Sequence, residues 1–214
     1  MLGLYKINSY YYAMIIIGLC AITHITYIHI FVSESFYAQW YEGVLTQTQI
    51  LESISRFRTY EWLFVLLNVL FIFIKIALVA VCLFLGMFFF SNQSHTYKTA
   101  FKIALKAEIV FVIQFMVRLL WMLFIKTPEI VEDMRVMPLS LMSFFDPVTI
   151  EPWLKYSLNT LNVFEVIYIW MLSALTAGAL QTRFRQAFKP VMVSYGAGLA
   201  LLMATNMFLI LNNS

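Results

Sequence analysis

The stretch Ser157–Leu180, SLNTLNVFEVIYIWMLSALTAGAL, decides how this chain is read. It is long and apolar enough to cross a bilayer as one helix, which takes about 20 residues for roughly 30 Å of hydrocarbon. Its first half nevertheless carries Asn159, Asn162 and Glu165. Carboxamides and a carboxylate are costly in hydrocarbon unless they find partners inside the protein. The stretch therefore predicts a helix whose polar stripe faces other helices.

The rest of the chain supplies those helices. Of 214 residues, 62% are hydrophobic, 17% aromatic and only 12% charged, more apolar surface than one soluble core of this length can hide. The expected fold is an all-α integral membrane bundle with five transmembrane helices, a single membrane domain over residues 1–214. The spans are expected at about 10–32, 62–90, 100–125, 156–180 and 191–211. They lack sustained alternation and are about twice the length of a barrel strand, which excludes a closed β-barrel. The second is long enough to require tilt, bending or projection from the membrane. Lys6 before an apolar run imitates a signal peptide, but no small-residue cleavage site follows, so this run is read as a retained first span. Cys20 and Cys82 fall inside apolar runs and are read as packing residues.

Cations orient the bundle. With a cytoplasmic N-terminus, the inner side holds Lys6, Lys98, Lys102, Lys106, Arg183, Arg185 and Lys189 and no acid. The outer side then holds nine acids, Glu34, Glu42, Glu52, Glu61, Glu129, Glu132, Asp133, Asp146 and Glu151, against Arg56, Arg58, Lys126, Arg135 and Lys155. This asymmetry predicts the N-terminus inside and the C-terminus outside, so the net charge of +3 reports topology and no nucleic-acid partner.

Lys75, Glu108, Arg118 and Glu165 remain, all within spans. Arg118 and Glu165 each lie about seven residues in from an outer helix end, at about 10 Å depth, and are expected to pair. Lys75 and Glu108, both near mid-span, form a second expected pair. Glu108, Gln114 and Arg118 share one face of the third helix, and Asn162, Glu165 and Thr176 a stripe of the fourth. Two readings follow for the polar cluster of Lys75, Glu108, Gln114, Arg118, Asn159, Asn162 and Glu165. It holds the bundle in register through neutralised charges and interhelical hydrogen bonds, or it lines a hydrated path. Ala174 with Gly178, and Gly196 with Ala200, have the small-xxx-small spacing of close helix packing.

The outer connections are too long for turns. Residues 33–61 mix Phe36, Tyr37, Trp40, Tyr41, Val44, Ile50, Leu51, Ile54 and Phe57 with polar residues and predict an interfacial helix. Residues 126–155 contain PLSLMSFFDPVTIEPW, whose Pro138, Pro147 and Pro152 interrupt an apolar tract that predicts an interfacial or re-entrant cap, or an aromatic belt with a loop. No phosphate loop, dinucleotide fingerprint, HExxH or GxSxG occurs. His24 and His29 diverge by about 140° around a helix and His95 belongs to the other side, so no metal, haem or other cofactor and no enzymatic activity is expected.

LNTLNVFEVIYIWMLSALTAGAL, preceded by PLSLMSFFDP and followed by a basic turn and a final span, resembles bacterial members of the YIP (Ypt/Rab-interacting protein) domain superfamily, loosely from Trp62 onward. The resemblance implies a small five-span protein with a cytoplasmic N-terminus and no established catalytic activity. The DLYGP-type motif and long cytosolic N-terminal region of eukaryotic members are absent, so their Rab-binding role is not carried over. The expected role is a scaffold or subunit of a bacterial inner membrane that binds lipids and other membrane proteins, as a homo- or hetero-oligomer. The alternative is a transporter or permease component with a polar pathway near Arg118 and Glu165. Hydration separates them: a scaffold has a dry, closed polar cluster, a transporter a cavity reaching it.

Overall fold

The computed structural model describes residues 9–31, 45–90, 96–125, 128, 131–146 and 148–213. Most of the aromatic tract expected to lie on the interface, Phe36 to Val44, falls outside them, as do His95 and Pro147. The described chain is helical, with no strand: α1 Ser9–Phe31, α2 Gln47–Thr59, α3 Glu61–Phe90, α4 Tyr97–Ala107, α5 Ile109–Phe124, α6 Val131–Arg135, α7 Pro152–Thr160, α8 Val163–Leu180 and α9 Phe184–Asn213. Five helical stretches are long and apolar enough to cross a membrane: α1, α3, α4 with α5, α8 and α9.

Local chemistry sets most boundaries. α2 opens on a capping box, in which Thr46 N–H donates to Gln49 Oε1 at 2.9 Å and Thr46 Oγ1 faces the Gln49 N–H. It buries Ile50 and Ile54, and its Phe57 stacks on Phe64 of α3 at 5.0 Å between ring centres. α4 and α5 form one helix interrupted only at Glu108, whose N–H still reaches the Ala104 carbonyl at 3.1 Å. Gln181 closes α8 in the left-handed conformation, φ 52°. α9 begins at Phe184, seven residues before the expected start near residue 191, because Pro190 sits inside the helix rather than ending it. There it withdraws one backbone donor, while its own carbonyl accepts from Ser194 Oγ at 2.8 Å.

The helices run up and down, giving the bundle two ends. At the basic end α4 and α9 start, near Lys98, Arg183, Arg185 and Lys189. At the connection end, His29 of α1 meets Glu61 of α3 at 3.3 Å, and residues 131–146 and 148–162 form a cap. The core lies mainly toward the basic end: Ala80 and Leu83 of α3, Ala100 and Ala104 of α4, Leu172 of α8 and Val191 of α9 are all buried to 1% exposure or less.

Close backbone approach occurs at other glycines than expected. A Cβ on Gly86 of α3 would meet Ser194 Oγ at 2.5 Å and the Pro190 carbonyl at 3.0 Å, and one on Gly198 would meet Cys82 Sγ at 2.9 Å. These glycines let α3 and α9 touch. Gly178 and Gly196 would meet nothing within 4 Å, and Ala200 is exposed, so neither small-xxx-small pair is a tight seam in this chain. The pattern marks a smooth groove; whether a neighbour lies in it depends on the opposing helix.

Candidate functional site

The fourth expected span is broken, and the break builds the site. A continuous helix was expected from about residue 156; instead α7 ends at Thr160 and α8 starts at Val163. Interrupting a helix in apolar surroundings orphans backbone donors and acceptors, each of which needs a new partner. Here they are found. The Leu161 carbonyl accepts from Leu141 N–H at 3.0 Å and Val163 N–H donates to the Leu139 carbonyl at 3.1 Å, a short antiparallel clasp centred on Ser140 and Asn162. Leu139 takes φ 60° to present that edge. Asn162 Oδ1 caps α8 by accepting from Glu165 N–H at 2.9 Å, while its Nδ2 donates at 3.0 Å to the carbonyls of Asn159 and Thr160. Asn159 Oδ1 accepts Met137 N–H at 2.9 Å. The two carboxamides of the opening stretch thus stitch a broken helix to the cap above it.

Glu165 sits in the first turn of α8, with an oxygen accepting the Tyr195 hydroxyl of α9 at 2.5 Å. The expected Arg118–Glu165 pair is not formed. Arg118 instead donates to the Met134 carbonyl of the cap and lies 5.8 Å from the Tyr27 ring centre. The reason is the break: it places Glu165 three residues inside a new helix instead of seven inside a continuous one, and the cap gives Arg118 a nearer acceptor. The second pair is in contact, Lys75 Nζ lying 2.9 Å from Glu108 Oε1. Glu108 is 3% exposed, and its Oε2 has no hydrogen-bond partner among the described residues.

Two openings reach these groups. A cavity of about 780 Å³ at the connection end is lined by Gln114 of α5, Arg135, Lys155, Asn159, Asn162 and Glu165, with Ile210 of α9 opposite. A cleft of about 390 Å³ between α1, α3 and α5 is lined by Thr23, His24, Asn68, Lys75 and Glu108 among aromatic walls. Phe111 borders both. On it rests the Lys75 ammonium, 3.1 Å from the ring centre, a cation–π contact. Behind it stand Tyr168 at 4.5 Å and, 5.4 Å further, Tyr195, whose hydroxyl holds Glu165. The two acidic centres therefore lie on opposite sides of a three-ring septum. Of the expected cluster, Gln114, Asn159, Asn162 and Glu165 share the cavity, Lys75 and Glu108 share the cleft, and Arg118 joins neither.

Sequence reasoning missed Tyr195, Tyr168, Phe111, Arg135 and Lys155 as parts of this arrangement. The rings carry no signal in a chain so rich in aromatics, but the break had one: Asn162-Val163-Phe164-Glu165 has the spacing of a capping box, a helix start within an apparent span. The chain matches no family model, no curated protein and no solved structure.

Proposed function

We propose that this chain is a YIP-like multi-pass protein of a bacterial inner membrane, N-terminus cytoplasmic and C-terminus outside, that works as a transporter or as the permease component of one. The observation that carries the reading is the cavity of about 780 Å³ reaching Glu165 from the connection end. A scaffold needs no space at its polar cluster, whereas a transporter needs a cavity that reaches it. Membrane placement is supported by the five long apolar stretches and by large side chains exposed around them, such as Phe71 at 67%, Val166 at 68% and Leu201 at 70%. In water such a surface is a liability; in lipid it is matched. The orientation rests on the cations gathered at the basic end. A cavity with charged and carboxamide side chains set in a mainly apolar wall, over a packed opposite half, fits one end state of alternating access.

The scaffold reading keeps one observation in its favour. Asn159, Asn162 and Glu165 each have an intramolecular partner, so the fold alone accounts for them. A cysteine experiment separates the two, in a background with Cys20 and Cys82 replaced. Thr176 is fully buried in the packed half. A carrier opens that half in turn, so Thr176→Cys in inverted vesicles is labelled slowly by a membrane-impermeant thiol reagent. Lasting protection there, with Tyr156→Cys labelled from outside, makes the cavity a blind pocket and restores the scaffold.

A further inference from the structure

Resting on that reading, we infer that the Glu165 cavity recognises a small zwitterion, an ammonium and a carboxylate or phosphate on a frame of a few carbons. The cavity has charges of both signs at different places. Arg135 is the last residue of α6 in the cap, and Lys155 lies on α7 one turn before Asn159. Neither makes an ion pair among the described residues. Glu165 lies across the helix break from Lys155, its position held by the Tyr195 hydroxyl. Gln114, 5% exposed, lines the same cavity, and its side chain makes no hydrogen bond among the described residues.

Each feature narrows the ligand. A simple anion would meet Arg135 and Lys155 but also the Glu165 carboxylate, and a simple cation would meet the reverse. Either meets a charge of its own sign on the wall: for the anion that charge is Glu165, 6% exposed and with little water to screen it, and for the cation it is Arg135 and Lys155, which keep more of their water and discriminate less. A zwitterion answers both, and the Gln114 amide, with two donors and an acceptor, serves either end. The volume falls in the range of small-molecule pockets, about 300–1,000 Å³, so a ligand of this size binds with water around it. The Tyr195 hydroxyl takes one carboxylate oxygen of Glu165 and leaves the other as acceptor for an ammonium.

The chemistry has two sources, a free solute or the phosphoethanolamine headgroup of a lipid, and the test separates them. The intact protein is held in nanodiscs of phosphatidylglycerol alone, and binding is read by calorimetry. The probes are alanine against propionate and ethylamine, and phosphoethanolamine against ethyl phosphate and ethylamine. The expected result is that a zwitterion binds about tenfold or more tightly than either of its singly charged partners, the loss that accompanies one charge-assisted hydrogen bond. Glu165→Gln, which retains an acceptor for Tyr195, removes the discrimination against the anion; Arg135→Gln with Lys155→Gln removes that against the amine. If nanodiscs containing phosphatidylethanolamine abolish the binding of free phosphoethanolamine, the headgroup is the source; if binding persists, the free solute is. Equal binding of zwitterion and single charges, or none, overturns the inference. Labelling of Tyr156→Cys and Thr176→Cys, measured on the same preparations, reports separately whether the transport reading stands.

Discussion

The two halves of the bundle are made from the same helices and differ in what those helices present to one another. Toward the basic end, alanines 80, 100, 104 and 187, all at 0% exposure, and Gly86 let α3, α4, α8 and α9 come together with no room for water. Toward the connection end, the neighbours are Gln114, Asn159, Asn162 and Glu165, of which the two asparagines are fixed by hydrogen bonds to backbone groups and Glu165 by the Tyr195 hydroxyl, and space remains. Small apolar residues close an interface from all directions. Directional polar bonds fix a geometry and leave the volume between them unfilled. The chain thus obtains a sealed half and an open half, the open one built around the break between α7 and α8, and the Phe111–Tyr168–Tyr195 septum lies among the polar groups.

This contrast can be broken most forcibly at the septum. Lys75→Leu leaves the Glu108 carboxylate, 3% exposed, without its counter-charge, and a loss of about 3–5 kcal/mol is expected. Thermal unfolding in detergent reads it, and Lys75→Leu with Glu108→Met recovers much of the loss. If the double variant is as unstable as the sum of the singles, the pair is not coupled. Next in size is the seal. Gly86→Val drives new atoms into Ser194 and the Pro190 carbonyl and costs about 1–3 kcal/mol or more. Gly178→Ala and Gly196→Ala, with open space around them, cost nothing or stabilise slightly. An equal penalty at all three glycines would contradict the assignment of the tight crossing to α3 and α9.

The open half responds more mildly. Asn162→Ala removes the α8 cap and is expected to cost about 1 kcal/mol, with Asn162→Asp closer to the parent because it keeps the cap acceptor and loses only the donors to Asn159 and Thr160. No effect of the alanine variant would mean that the break is not held by this side chain. Smallest is the coupling between Arg118 and Glu165. Since they bond to Met134 and Tyr195 respectively, a double-mutant cycle should be additive within about 0.5 kcal/mol.

How far the sequence was legible follows from the range of the interactions involved. Helix existence depends on local apolar length, and the five apolar runs correspond to the five long stretches. Depth matching brought Lys75 to Glu108 because the helices carrying them run without a break on either side of the pair, apart from Glu108 itself. The same reasoning failed for Arg118 and Glu165 because it assumed a continuous helix through residues 161 and 162. The Asn162 cap was readable in its spacing, whereas the Leu139–Leu141 clasp that makes the break tolerable joins segments some twenty residues apart and has no local mark. The glycine seam was illegible for a related reason: Gly86 and Gly198 matter only because Pro190, Ser194 and Cys82 lie opposite.

One half wet and the other dry is a difference in hydration, which water-based radical footprinting of the intact protein in nanodiscs measures directly. Met137 and Met142 line the cavity, while Met87, at 1% exposure, lies in the sealed half. Met142 offers water no more surface than Met87, both at 1% exposure, whereas Met137 is half-buried, so water in the cavity reaches Met137 and not Met87. Oxidation of Met137 several-fold faster than that of Met87 is the predicted result; equal, slow oxidation of the two would show the connection end to be as dry as the other and would contradict a hydrated cavity.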